Sequence, residues 1–350
     1  MITEISIKNF KVLKNIELNN LKRITLVSGR NNIGKSTLLE AIFLYMDHSS
    51  GESFGKLTSF RGTSGNTAEN LWEPLFYQMD TDTCIQIKVN NDNLVGALQY
   101  KRDNNYLPSN ISGMSEDILA QFRMNTKESY SLCYSYVENG YSEDGHFSLN
   151  GSSILRDIKT SLPGNEIKLM KPTQYKVYFR DFLTIVNELG KIELSGEKSI
   201  LIKALQEMDP LIEDIVTLSV QGIIQLYIRI SGKLMPLQYA GDGIVKILSI
   251  CLSIMRRKGG IVLIDELENG LHYSMYGKLW KMIDHISKRS SCQVIATTHS
   301  YELISSVRNS INNTDDFCYN RIGKNKDRIV SYRYDYSMLD AALEAEMEVR

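Results

Sequence analysis

The fold of this chain is decided by the stretch GRNNIGKS, which runs from Gly29 to Ser36. The stretch matches the phosphate-binding P-loop pattern at every position that the pattern defines. Its glycines allow a tight turn whose backbone N–H groups point at phosphate oxygens, and the helix that follows offers its positive N-terminal end to the same anion. The apolar run Ile24–Val27 precedes the stretch, and helical apolar spacing follows it. A chance glycine-rich turn would lack these neighbours, so we predict a phosphate site here.

The side chains of this loop have separate predicted roles. Lys35 adds a point charge beside the β- and γ-phosphates of a nucleotide, and Ser36 supplies a hydroxyl ligand to Mg²⁺. The predicted nucleotide contacts in the loop are Asn31, Asn32, Gly34, Lys35, Ser36 and Thr37.

A second motif follows the apolar run Ile261–Ile264, which ends in Asp265 and Glu266. A buried parallel strand that ends in Asp places a carboxylate at the sheet edge beside the P-loop. We predict that Asp265 holds the Mg²⁺ shell and that Glu266 polarises the attacking water of an in-line phosphoryl transfer. Buried strands often end in acidic residues, so this interpretation depends on the P-loop.

A third motif, Thr297–Ser300, follows the buried run Val294–Ala296. Its histidine, His299, can contact a γ-phosphate and report its presence, so we predict it as a second catalytic residue. The alternative interpretation is a capping segment in which Ser300 begins the helix at Tyr301. Both interpretations can hold together.

Two further segments have weaker signals. Gly241, Asp242 and Gly243 open a helix, and glycines at a helix N-terminus can form an anion site. Taken alone, the same residues also fit an ordinary helix start with Asp242 near the cap. The turn Asn269–His272, just past Glu266, could contact a second subunit.

Composition excludes several classes of protein. The chain has 350 residues, 43% of them hydrophobic, and 40 Lys plus Arg against 41 Asp plus Glu for a net charge of −1. It can therefore bury a core, and it is not a strongly basic nucleic-acid binder, although local basic patches remain possible. No apolar run approaches the roughly 18 residues of a membrane helix. Five scattered cysteines without a CxxC pair indicate a reducing, cytoplasmic location and no structural zinc.

The order of apolar patterns predicts an α/β fold. Strands alternate with helices, which favours a mostly parallel sheet with helices on both faces, preceded by antiparallel strands at the N-terminus. We expect an exposed loop over residues 48–70 and irregular structure over residues 103–165. The predicted organisation is a nucleotide-binding head of residues 1–100 and 210–350, with an inserted lid or recognition region over residues 101–209.

In this order the motifs resemble those of the ATP-binding-cassette ATPases, specifically the soluble SMC/RecF/OLD-like branch. They are most similar to prokaryotic stand-alone AAA-family ATPases, many of which sit beside nuclease or effector genes in anti-phage systems. The segments that carry the resemblance are Lys8–Lys11, Gly29–Ala41, Gly241–Gly243, Leu263–His272, Ala296–Ser300 and Glu348–Arg350. Apart from Glu348–Arg350, they cover roughly residues 1–47 and 215–310, and no motif covers the middle of the chain.

The resemblance implies that two heads sandwich two ATP molecules with Mg²⁺, in a homodimer or higher homo-oligomer. Gly241, Asp242 and Gly243 of one head would face the P-loop of the other, and Lys11 would contribute to the nucleotide site. Most cassette ATPases have serine at the signature, where this chain has Ala240 and Gly241, so slow turnover is expected. Gln78 and Gln121 are the candidates for the glutamine that links nucleotide to lid.

The resemblance also implies partners. The related OLD nucleases carry a Toprim domain after the ATPase head, but only 50 residues follow Ser300 here. We therefore expect any nuclease or toxin to be a separate effector protein from the same operon. The alternatives are a RecF-like DNA repair ATPase and a weakly catalytic ATP-gated scaffold. Nucleic acid could bind at small basic clusters such as Arg256–Lys258.

Overall fold

The computed structural model describes residues 1–48, 50, 52–60, 71–91, 94–103, 131–139, 141–150, 153–158, 167–170, 179–308, 310–311, 313–326 and 328–349. The strands are β1 (Glu4–Phe10), β2 (Leu13–Leu18), β3 (Ile24–Gly29), β4 (Ile85–Asn91), β5 (Leu94–Asp103), β6 (Ser131–Glu138), β7 (Tyr141–Asn150), β8 (Ser153–Ile158), β9 (Ile167–Met170), β10 (Ile212–Val220), β11 (Ile223–Ile230), β12 (Lys233–Pro236), β13 (Ile261–Ile264), β14 (Gln293–Thr298), β15 (Phe317–Asn325) and β16 (Arg328–Tyr334). The helices are α1 (Lys35–Met46), α2 (Glu52–Phe60), α3 (Phe179–Leu194), α4 (Lys198–Met208), α5 (Asp242–Arg256), α6 (Tyr276–Arg289), α7 (Tyr301–Ser305) and α8 (Tyr336–Glu344).

The central sheet is parallel except at one edge. Its order is β16-β15-β3-β14-β13-β9, and only β16 runs antiparallel to its neighbour. The P-loop strand β3 is therefore flanked by β14 on one side and β15 on the other. This confirms the predicted mostly parallel sheet.

Two hydrophobic cores lie on opposite faces of this sheet. In β13, Ile261 and Leu263 pack with α1 and the antiparallel strands. Val262 and Ile264, which point the other way, pack with helices α3 to α8. Side chains alternate across a strand, so a run of four apolar residues is buried on both faces, as parallel strands covered on both sides require.

The N-terminal strands belong to a separate antiparallel sheet, as predicted. Its order is β2-β1-β4-β5-β6-β7-β8, and β10 to β12 form a small third sheet. Helix α1 contacts strands of both large sheets. In the part of the chain that the structure describes, no helix is long and apolar enough to cross a membrane.

The loop expected over residues 48–70 is wrong in part, because α2 lies within it. Phe54 and Leu57 are 1% and 2% exposed. Residues three apart share one face of a helix, so this pair anchors α2 to the core. The Ser-, Gly- and Thr-rich composition around them concealed that short apolar face. Residues 61–70 lie outside the described residues.

The irregular structure expected over residues 103–165 is also wrong in part, because it contains β6, β7 and β8. Leu132, Tyr134 and Tyr136 are buried, whereas Cys133 and Ser135 between them are more exposed. This period of two is the pattern of a strand with one buried face. These strands and β9 lie within 101–209, where the inserted region is predicted, and they are hydrogen-bonded into the two large sheets. Its bounds stay a prediction.

A buried hydrogen-bond network joins the base of the P-loop to residues near the C-terminus. The Tyr319 hydroxyl, on β15, donates to the Val349 carbonyl and is hydrogen-bonded to Ser28 Oγ. Ser28 directly precedes Gly29, and Val349 is 1% exposed. The network therefore fixes the segment at Val349 against the strand that positions the loop.

We expect Tyr319→Phe to lower the free energy of unfolding by about 1–3 kcal/mol, because it removes the hydroxyl that is hydrogen-bonded to both the buried Val349 carbonyl and Ser28 Oγ. Urea denaturation followed by circular dichroism measures this change. Tyr332→Phe on β16 is the matched control, since Tyr332 is 44% exposed. Equal midpoints for the two variants would show that the network does not stabilise the fold.

Candidate functional site

Three motifs meet at one edge of the central sheet. Strands β3, β14 and β13 are parallel neighbours, so their carboxyl ends lie side by side. The P-loop leaves β3, His299 follows β14, and Asp265 follows β13. The carboxyl edge of a parallel sheet is where such folds bind their ligands.

The P-loop glycines occupy positions that other residues could not. Gly29 has φ +147°, and a Cβ atom there would lie 2.4 Å from the Ile322 carbonyl oxygen. Gly34 has φ +106°, and a Cβ atom there would lie 2.7 Å from Leu13 Cδ2. Both backbone conformation and space therefore require glycine. The loop is packed between β15 and the β1–β2 hairpin.

The Lys35 side chain is folded back over its own loop. Its Nζ donates to the Gly29 carbonyl at 2.7 Å and to the Arg30 carbonyl at 3.1 Å, and the residue is 8% exposed. Burial lowers the pKa of Lys35, and the carboxylates of Asp265, Glu266 and Glu268 oppose that shift. A phosphate entering the loop would give this ammonium a charged acceptor in place of neutral carbonyls.

The remaining loop residues differ in exposure. Asn31 and Asn32 are exposed, Ser36 is partly exposed, and Thr37 is 4% exposed. Asn32 has φ +61°, which an asparagine tolerates better than most residues. The asparagines and Ser36 are therefore accessible to a ligand, whereas Thr37 is accessible mainly through its backbone.

Thr297 orders the acidic end of β13. Its Oγ1 donates to Asp265 Oδ1 at 2.6 Å and accepts a hydrogen bond from the Glu266 backbone N–H at 2.9 Å. Asn269 Nδ2 donates to Glu266 Oε2 at 2.6 Å. Asp265 is 5% exposed, so one oxygen of a buried carboxylate is fixed toward the sheet. The sequence motif included Thr297 and Asn269 but did not reveal these roles.

Glu268 holds His299 in place. His299 Nδ1 lies 2.9 Å from Glu268 Oε1, and the same oxygen accepts the His299 backbone N–H at 2.7 Å. The Glu268 side chain is 6% exposed and that of His299 is 45% exposed. A carboxylate on Nδ1 fixes the ring and leaves Nε2 as its second polar atom. The capping interpretation is also confirmed, because Ser300 Oγ accepts the Leu303 N–H at 3.1 Å.

Lys11 lies beside the P-loop helix. Its Nζ forms an ion pair with Glu40 Oε2 at 2.8 Å, and both side chains are at least nine-tenths buried. The following residues, Val12 and Leu13, contact the position that a Cβ of Gly34 would take. The structure thus uses the Lys11 ammonium to bind α1, and a direct role toward nucleotide stays a prediction.

Gly241 and Asp242 are exposed at the start of α5. Gly241 is the N-cap residue with φ +92°, no side chain caps this end, and Asp242 follows in the first turn, which agrees with a helix start with Asp242 near the cap. A Cβ atom on Gly243 would lie 3.3 Å from the Gly270 carbonyl oxygen, which places the helix start against the turn that follows Glu266.

Of the two candidates for the glutamine that links nucleotide to lid, Gln78 is exposed with φ +54°, and Gln121 lies outside the described residues.

The site fits a magnesium ion by its chemistry. Ser36 offers a hydroxyl oxygen and Asp265 a carboxylate oxygen, which are the hard ligands that Mg²⁺ prefers. Over the described residues, no cluster of three His, Cys, Asp or Glu side chains could hold a metal by itself.

Comparison with known proteins supports this assembly of motifs. The family described as "AAA ATPase domain" matches residues 1–171 and 152–304. The chain is 28% identical to the ATP/GTP phosphatase of Helicobacter pylori, over 87% of this chain and 86% of that protein. It is 22% identical to the Septu protein PtuA of Bacillus thuringiensis, over 87% of this chain and 73% of that protein.

Among solved structures, the chain resembles an SMC head bound to the C-terminal winged-helix domain of ScpA. The TM-score is 0.53 at 13% identity, and the match covers 96% of this chain and 98% of that one. At this level of identity the likeness concerns the fold. It confirms the predicted P-loop head of the cassette type.

Proposed function

The chain belongs to the AAA ATPase domain family, and from that membership we propose that it binds ATP and hydrolyses it to ADP and phosphate. The observation that carries this proposal is the convergence of the P-loop, Asp265, Glu266 and His299 at one sheet edge. Similarity to a protein named ATP/GTP phosphatase supports the same reaction.

Each residue at the edge has a part in in-line phosphoryl transfer. The P-loop backbone and Lys35 bind the β- and γ-phosphates, and Ser36 with Asp265 would hold Mg²⁺, which neutralises phosphate charge when bound. Glu266 orients the attacking water toward the γ-phosphorus and takes up its proton. His299, held by Glu268, contacts the γ-phosphate with its outer nitrogen.

We propose that turnover is slow. Catalysis of this kind depends on donors placed where charge develops. The serine hydroxyl expected at the signature is replaced by Ala240 and Gly241, so only backbone N–H groups at the start of α5 are left to serve this role.

The exposed start of α5 supports a dimer as the active form. Gly241 and Asp242 are open to solvent in a single chain. A second copy could bring its P-loop against them, so that two ATP molecules lie between two heads. ATP would then favour association, and hydrolysis would open the homodimer or higher homo-oligomer.

We further propose that this cycle controls a separate effector, a nuclease or toxin from the same operon, in anti-phage defence in the cytoplasm. The motif resemblance to stand-alone ATPases of such systems supports this proposal, as does similarity to the Septu protein PtuA. A RecF-like repair ATPase is the second candidate, and it predicts stimulation by gapped DNA.

One experiment tests the function. The purified chain is assayed for phosphate release from ATP, alone, with gapped duplex DNA, and with the protein that co-purifies from its own operon. We expect slow basal hydrolysis and a rate that changes when the co-purifying protein is added. Absence of ATP binding would contradict the proposal, and stimulation by gapped DNA alone would replace effector control by DNA maintenance.

A further inference from the structure

A buried lysine connects the start of α5 to the turn that carries Glu266. Lys246 is 1% exposed, and its Nζ donates to the carbonyls of Glu266 at 3.1 Å, Leu267 at 2.8 Å and Asn269 at 2.6 Å. Three carbonyls of one turn thus converge on one ammonium. Such a group remains charged inside a protein only when its hydrogen-bonding capacity is used.

The turn bound by Lys246 has an unfavourable backbone conformation. Glu266 has φ +49°, in the left-handed region that non-glycine residues rarely occupy. The ammonium holds the carbonyl of this residue, and Asn269 Nδ2 holds its carboxylate. Both contacts act on the same turn, so together they fix where the Glu266 carboxylate points.

The other end of this connection is the helix start. Lys246 lies one turn of helix after Asp242, and Gly243 packs against Gly270 of the same loop. Helices are stiff over one turn, so a displacement of the α5 start carries Lys246 with it. The Glu266 turn cannot then keep its three hydrogen bonds unless it moves as well.

We propose that Lys246 is a positioning residue that couples the start of α5 to the Glu266 turn. In this arrangement, a nucleotide bound by the partner copy at Gly241–Gly243 sets the geometry of the hydrolytic carboxylate in the same chain. The inference rests on the proposed ATP hydrolysis between two copies and adds the route by which one site acts on the other.

The protonation of Lys246 fits this role. Burial lowers its pKa to about 8, while the carboxylates of Glu268 and Glu266 oppose the shift. The side chain therefore carries its charge at neutral pH.

The sequence contained a signal for a special role of Lys246, because Lys246 is the only charged residue in the apolar run from Ile244 to Met255.

The test is Lys246→Met, which keeps the aliphatic stem and removes the donors. We expect affinity for a fluorescent ATP analogue to stay within about threefold and kcat to fall at least about 30-fold, because only the geometry of the catalytic turn is lost. Lys246→Arg should have an intermediate kcat, since a planar guanidinium cannot direct hydrogen bonds to three converging carbonyls. Lys278→Met is the matched control, because its ammonium also donates to a carbonyl, that of Met208 at 3.1 Å.

A second measurement separates positioning from general stabilisation. Adding Lys246→Met to a Glu266→Gln protein should leave the lifetime of the ATP-bound dimer unchanged, because the carboxylate through which it acts is already absent. A shortened lifetime would show a structural role and overturn the proposal.

Two other results would also overturn the proposal. One is a Lys246→Met protein that hydrolyses ATP at the wild-type rate. The other, if Lys246→Met does not fold, is a wild-type kcat for Lys246→Arg. Wild-type protein that cannot hydrolyse ATP would instead contradict the proposed function.

Discussion

Replacing Lys35 by alanine is expected to abolish ATP binding and hydrolysis while leaving the fold intact. The Lys35 ammonium is the buried cation of the P-loop, and a phosphate would replace the carbonyls of Gly29 and Arg30 as its acceptors. Charge-assisted hydrogen bonds of this kind are about twice as strong as neutral ones. We expect the affinity for ATP to fall at least about 100-fold, or about 2.7 kcal/mol.

Titration with a fluorescent ATP analogue and a phosphate-release assay measure these effects. Lys88→Ala is the matched control, because Lys88 is exposed on β4 in the antiparallel sheet. Circular dichroism shows whether both variants are folded. A folded Lys35→Ala protein with wild-type turnover would rule out the P-loop as the ATP site.

Glu266→Gln is expected to stop hydrolysis without stopping ATP binding. The amide oxygen of glutamine can still accept the hydrogen bond from Asn269, so the side chain keeps its place. It cannot take a proton from water, and the loss of a general base lowers kcat by about 100- to 10,000-fold. ATP-bound dimers should then accumulate, because the step that opens them is blocked.

Light scattering of the protein with and without ATP measures this accumulation. Glu17→Gln, an exposed carboxylate on β2, is the control for the loss of one charge. This variant also tests the scaffold alternative. If hydrolysis never opens the dimer, Glu266→Gln and wild-type protein will show the same distribution of species, and the switch mechanism will fail.

The sequence predicted the parts of the site whose signals are local. The P-loop and the Asp265–Glu266 and His299 motifs each depend on a few consecutive residues that follow an apolar run, and each run is a strand of the central sheet. Because those strands are neighbours in the sheet, the motifs that follow them lie close together. The structure confirms this placement through the parallel order β3-β14-β13.

Roles that depend on distant partners could not be predicted in this way. The bond between Glu268 and His299 joins residues 31 apart, and the bonds of Lys246 span 20 to 23 residues. For Lys11 the resemblance implies a nucleotide contact, which stays a prediction, while its ion pair with Glu40 of α1 was not predicted. Short periodic apolar patterns were also missed in the sequence analysis where Ser, Gly or Tyr surround them, as in α2 and β6.

The position of β3 between β14 and β15 has a consequence for synthesis. The strand that carries the P-loop is made long before its neighbours, because both of them lie beyond residue 292. At about 5–20 residues per second, β3 waits roughly 15–60 seconds on the ribosome for both of its neighbours. During that time its backbone edges and buried apolar residues have no native neighbour in the central sheet. The predicted phosphate site can therefore assemble only after β14 has been made, so a chain that stops before β14 carries the complete P-loop sequence but not the site.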